Sequence, residues 1–169
     1  VIFPHDEMQI LDYNRVVKDL NGLTEEQFFE LLKLNFLVTL ITNPPSPISE
    51  NNYSMHLNGN WYQLKAKDHI KSDDPVEGLE ASILQNSLLT PILDIDDPRT
   101  NKRIDFVGGI RGMNELERRC QTDCAVAFAL PPVSIEQLLS VADSGQVMPP
   151  KSTWFEPKLR SGMVVRLLD

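Results

Sequence analysis

Asn58-Gly59 stands between two β-forming runs, SMHL and NWYQLKAK, and no other feature restricts the fold as much. An Asn-Gly pair supplies the two positive φ angles of a type I′ turn, whose twist suits two antiparallel neighbours. Residues 54–67 therefore read as a hairpin with Met55, Leu57, Trp61 and Tyr62 as its bulk. Further strands follow from similar patterns. MQILDYNRVV reads as one strand, with Ile10, Asp12 and Asn14 on one face and Leu11, Tyr13, Arg15 and Val17 on the other. Arg15, a cation among apolar neighbours, reads as a strand-end residue rather than a buried cation with a partner. LVTLIT (37–42), RIDFV (103–107), CAVAFALP (124–131) and GMVVRLL (162–168) are further strand runs, and Val1, Ile2 and Phe3 open the chain in the same way. A strand beginning at the first residue is expected where a chain continues from an upstream segment.

Helix signals alternate with the strands. Thr24 with Gln27 makes a capping box ahead of TEEQFFELLKLNF, whose apolar stripe is Phe28, Leu31, Leu32 and Phe36. Ser72, Asp73 and Asp74 before Pro75 mark the start of a helix over residues 76–89, with Leu79, Ile83, Leu84 and Leu88 inward. MNELERRC forms a third helix, and Ser134 caps a fourth, SIEQLLSVADSG, which Gly145 stops. The order β-β-α-β-β-β-α-β-α-β-α-β predicts an α+β fold: a mixed, largely antiparallel sheet covered by helices. At 169 residues the chain is expected to be a single domain, 1–169.

The charge balance narrows the function. Asp and Glu number 24 against 16 Lys and Arg, a formal charge of -8. Such a chain lacks the cationic surplus that phosphate-backbone binding needs, which argues against nucleic acid as a partner. No apolar run approaches the ~20 residues of a membrane span, and no signal-peptide pattern opens the chain; a cytoplasmic protein is expected. Cys120 and Cys124 have no His or further Cys nearby to complete a metal site, and read as reduced thiols. His5, His56 and His69 are scattered. Asp94, Asp96 and Asp97 lack the loop of a calcium site and read as a solvated turn.

Against that acidic background, PPKSTWFEPKLRSG (149–162) carries Lys151, Lys158 and Arg160 against Glu156 alone. Ser152 and Thr153 add hydroxyls, Trp154 and Phe155 brace the segment, and three prolines with a glycine keep it out of a regular helix. Such a loop suits a phosphate or carboxylate. A solvated proline-rich connection is the plainer alternative. The second candidate is GGIRG (108–112), between a strand and a helix: Gly108 and Gly109 offer backbone amides, and Arg111 adds charge. Without a Walker lysine, the same glycines also fit a tight turn. Because both loops join sheet strands, they are expected to lie together as one surface for a small anionic ligand. Asp105, just before the glycines, is the best-placed acid for magnesium or a hydroxyl, with a structural cap as the plainer role. No general base with a partner is visible.

The segments DYNRVVKDLNG, SILQNSLLTPIL, DPRTNKRIDFVGGIRG, AVAFALPPVSIEQLLSVADSGQVMPP and KSTWFEPKLRSG together resemble domain-of-unknown-function family 1015, over essentially the whole chain. Family members are longer and carry an upstream Asp-Gly-His-His-Arg signature. The resemblance therefore implies a C-terminal portion that partners the N-terminal half of the same polypeptide. Relatives are often labelled ParB-like, and some are kinases of free serine, including pyrophosphate-dependent ones. The resemblance thus implies a phosphotransferase acting on free serine or a similar small hydroxy compound, using magnesium with a nucleotide or pyrophosphate donor. Gly108, Gly109, Arg111, Lys151, Ser152, Thr153, Lys158 and Arg160 would hold the polyphosphate. The alternatives are a ParB-like regulatory or nucleic-acid-associated module and a non-catalytic scaffold domain. The acidity and the lack of a helix-turn-helix argue against the first of these.

Overall fold

The computed structural model describes residues 9–44 and 48–157. The expected strands at 1–3 and 162–168 lie outside these residues, as do Lys158 and Arg160. Strands and α-helices follow one another as β1 (Gln9–Leu11), β2 (Tyr13–Val17), α1 (Glu25–Asn35), β3 (Phe36–Ile41), β4 (Asn52–Leu57), β5 (Asn60–Ala66), α2 (Glu80–Leu84), β6 (Ile104–Gly108), α3 (Gly112–Thr122), β7 (Val126–Ala129), α4 (Ile135–Asp143) and β8 (Trp154–Glu156). Six strands form one sheet in the order β3-β5-β4-β7-β2-β6, and β1 pairs with β8 in a separate ribbon. Every described pairing is antiparallel. The fold is α+β, as the order of elements implied.

The local signals act as expected. Asn58 and Gly59 take φ of 47° and 77°, and the turn sets Leu57 opposite Asn60. Thr24 accepts from the Gln27 amide while the Gln27 side chain returns to the Thr24 amide, and Ser134 and Gln137 repeat the arrangement at α4. On one face of the sheet, Val17, Tyr53, Met55 and Phe128 pack with Phe28 and Leu32 of α1 and with Leu84 and Leu88. On the other, Val16, Val107 and Ala127 meet Leu116 of α3. Burying a Leu or Phe side chain stabilises by about 1.5–3 kcal/mol, so Phe28 and Leu32 hold α1 in place more than its intrinsic propensity does.

Three elements depart from the sequence pattern. The expected helix over 76–89 is interrupted. Asp74 caps a separate turn by accepting from the Val76 and Glu77 amides, and Gly78 presses so close to that turn that an added Cβ would lie 2.8 Å from the Asp74 carbonyl oxygen. Helix α2 then starts at Glu80 and widens into a π-helical turn, Gln85–Leu89. The strand expected over 8–17 breaks at Asp12, because β2 stays in the large sheet while β1 leaves to pair with β8. That pairing also makes Trp154–Glu156 a strand instead of part of a loop.

Arg15 is not a strand-end residue either. It sits mid-strand opposite Phe106 and Phe128, and is 4% exposed.

Candidate anion-binding site

The break at Asp12 brings the two candidate loops together. The Gly109 amide donates to the Asp12 carbonyl at 2.8 Å, which ties the start of the glycine turn to the β1–β2 junction. Register carries the rest: Tyr13 lies opposite Gly108 in the large sheet, and Leu11 lies opposite Trp154 in the ribbon. The Trp154 indole consequently settles on Gly108, where an added Cβ would come within 2.6 Å of Cζ3. Only glycine permits that approach. The indole also meets the Tyr13 ring edge-on, with centroids 5.5 Å apart, and its Nε1 donates to Glu156 at 2.8 Å.

Gly108, Arg111 and Trp154 line one cavity of about 310 Å³, together with Asp105, Arg118 and Arg119. Most of the charge there is already matched. Arg118 holds Glu115 through two hydrogen bonds of 2.7 and 2.8 Å, and Arg119 bridges Asp123 at 2.8 Å and Asp105 at 2.9 Å. Among the described residues, Arg111 forms no ion pair, and neither does Lys151. The N-terminus of α3 follows Arg111 without a side-chain cap, and its first amide, that of Gly112, donates to the Gly109 carbonyl. Arg111, which forms no ion pair among the described residues, and the N-terminal turn of α3 meet at this cavity, an arrangement suited to an anion.

The structure treats the sequence-derived residues unequally. Gly108 and Arg111 line the cavity. Lys151 is not among its lining residues; its Nζ lies 5.4 Å from the centre of the Tyr13 ring and 3.4 Å from the Tyr13 hydroxyl. The Ser152 hydroxyl is buried and donates to the Pro149 carbonyl at 2.7 Å, and the Gly109 amide is committed to Asp12, so both are engaged within the protein. Thr153 is half-buried next to Trp154. Asp105 accepts from Arg119 and from the amide of its neighbour Phe106, not from the amides of the glycine turn. Among the described residues, no group of three or more His, Cys, Asp or Glu gathers as metal ligands. Cys120 and Cys124 are free thiols, and burial pushes the Cys120 thiol up to about 12.

Sequence reasoning missed Asp12. Its carboxylate accepts from Asn14 Nδ2 and fills the space beside Gly109, and burial raises its pKa above the usual carboxylate value, against the lowering effect of that hydrogen bond. Asn14, itself buried, accepts from the Leu130 amide at 2.9 Å and so fixes the pair. The one signal in the sequence was an acid and an amide, Asp12 and Asn14, on the same face of a strand as Ile10.

Several solved structures share this fold. The chain is similar to a mutant free serine kinase in complex with AMP, at 13% identity and a TM-score of 0.54. It is similar also to a mutant free serine kinase in complex with ADP, at 14% identity and a TM-score of 0.52. In both cases the likeness covers 89% of this chain and 55% of the other. A conserved hypothetical protein from Pyrococcus furiosus matches at 15% identity and a TM-score of 0.53, over 89% of this chain and 57% of that one. The chain thus spans a little over half the length of the structures it matches, and at these identities the likeness is one of fold. Residues 1–84 match the model of the family described as "Protein of unknown function (DUF1015)", so the family resemblance read from the sequence holds over those residues. No curated protein matches the chain. No described helix is long and apolar enough to cross a membrane.

Proposed function

We propose that the turn at 108–112 and the segment at 151–154 seat the polyphosphate of a nucleotide or pyrophosphate donor. The chain would then serve, with the N-terminal half of the same polypeptide, a phosphotransferase acting on free serine or a similar small hydroxy compound. The observation that carries this reading is the contact of Trp154 with Gly108, which joins the two segments at one cavity with Arg111. Phosphoryl transfer depends on positioning and on neutralising charge more than on covalent chemistry. Arg111 and Lys151 bring charge without ion-pair partners among the described residues, and the first turn of α3 brings amides. The Trp154 indole gives the cavity an aromatic wall, which suits a stacked base. Fold relatives in complex with AMP and ADP support a nucleotide as the donor.

Magnesium in such sites is held mainly by the donor's phosphates with one or two carboxylates, and it neutralises charge on the transferred group. The carboxylates that line the cavity are Asp105 and Glu115, which would have to exchange their arginine partners, Arg119 and Arg118, to hold such an ion.

Calorimetric titration with ADP–magnesium and with pyrophosphate tests this reading. Arg111→Ala and Lys151→Ala should each weaken binding about tenfold or more, since a hydrogen bond to a charged group is worth about 1.5–3 kcal/mol. In a polypeptide that includes the N-terminal half, phosphorus NMR should then show phosphoserine forming from free serine. An absence of binding by either donor, or equal affinity in both variants and the parent, would refute the seat.

A further inference from the structure

A second cleft, of about 180 Å³, lies on the sheet face that carries Tyr13 and Arg15. Arg15 forms its floor, Ser82, Gln85 and Asn86 one wall, and Pro149 and Pro150 another. We infer that this cleft binds a small oxyanion group, a carboxylate or a phosphoryl, held by the Arg15 guanidinium. The inference does not rest on the polyphosphate seat.

The guanidinium carries the case. Among the described residues, its one hydrogen bond runs from Nη1 to the Tyr13 carbonyl, and its other close partner is the Phe106 ring, whose centre is 5.6 Å from Cζ. No carboxylate of the described residues forms an ion pair with it. Burial pulls its pKa down to about 10, so it keeps its positive charge at neutral pH. Buried charges in proteins are normally paired, because a lone one is costly, and a well-packed apolar residue in the same place is often more stable. A carbonyl and a ring face leave most of the guanidinium's planar donor fork available for the bidentate partner it fits best.

The surroundings fix the kind of anion. The volume equals that of roughly six liquid waters, enough for one oxyanion group and a few atoms of its carrier. Gln85 and Asn86 reach the cleft from the π-helical turn, a distortion that recurs at functional sites. Glu77 also lines the cleft, where its carboxylate accepts from Asn86 Nδ2 at 2.6 Å. That negative charge opposes a polyanion and leaves room for a single oxyanion group. A nucleotide's phosphate chain therefore belongs at the other cavity.

The test uses the 169-residue chain at constant ionic strength, with acetate and inorganic phosphate as separate probes. In the parent, millimolar amounts of at least one probe should raise the melting temperature and shift the Arg15 Nε–H resonance. Response to acetate alone identifies a carboxylate site, and response to phosphate alone a phosphoryl site. Asn86 is exposed, so Asn86→Trp should fold normally while filling the cleft and weakening binding at least tenfold. Arg15→Met should lose the response and melt no lower than the parent without anion. Arg111→Ala should keep the response, which separates this cleft from the polyphosphate seat. Failure of both probes in the parent, or an undiminished response in a folded Asn86→Trp, overturns the inference; should Arg15→Met not fold, Asn86→Trp decides alone.

Discussion

The Asp12 carboxylate occupies the space into which a side chain on Gly109 would grow: an added Cβ would lie 2.8 Å from Oδ2. Gly109→Ala must therefore displace the acid, or break the hydrogen bond between the Gly109 amide and the Asp12 carbonyl. Overpacking of this kind costs about 1–3 kcal/mol. Urea unfolding of the variant should show a loss of that size with an unchanged denaturant slope. A variant as stable as the parent would mean that Asp12 moves aside freely.

Asp12 also predicts a pH dependence. Burial raises its pKa in the folded state, so the stability linked to its proton is present below the unfolded value near 3.8 and is lost as pH rises through the raised folded value. Asp12→Asn cannot ionise and should gain stability relative to the parent across that rise. Paired denaturation series at several pH values check this. A stability difference that stays constant with pH would show that Asp12 ionises in the fold as it does in water.

His56 should give the opposite slope. It is 3% exposed, its ring meets Trp61 with centroids 4.9 Å apart, and its Nδ1 has no hydrogen-bond partner among the described residues. Burial lowers its pKa, against the opposing pull of Glu117. Stability tied to neutral His56 is thus present above the unfolded value of about 6.5 and falls as pH drops through the lowered folded value. In His56→Asn that part of the acid slope should disappear. A slope identical to the parent's would assign the acid sensitivity to the carboxylates.

What the sequence made legible was local. Asn58-Gly59, the Thr24–Gln27 box and Ser134 each act within four residues, and each element appears where those signals put it. The glycine turn and the segment after Pro150 were expected to be neighbours because both abut strands, but it is the pairing of β1 with β8 that brings Trp154 to Gly108. Side-chain commitments were not legible. Ser152 turns to Pro149 and the Gly109 amide to Asp12, and such choices depend on which strands pair. The pairing of β1 with β8 joins the two ends of the described chain, and no periodicity encodes a partner so distant. For the same reason alternation gave Arg15 a face but not a depth, since its burial comes from β6 and β7 closing over both sides of β2.

The chain has two tryptophans, and they give the polyphosphate seat an internal control. Trp154 lines the proposed cavity, whereas Trp61 belongs to the cluster beneath α3 and donates to Glu117 at 2.7 Å. The most direct measurement is a nitrogen-15 spectrum of the two indole N–H groups during titration with ADP–magnesium. The Trp154 resonance should move in a saturable way while the Trp61 resonance holds still, and Arg111→Ala should shift the midpoint about tenfold higher. A Trp154 resonance that stays in place at saturating nucleotide would contradict the seat.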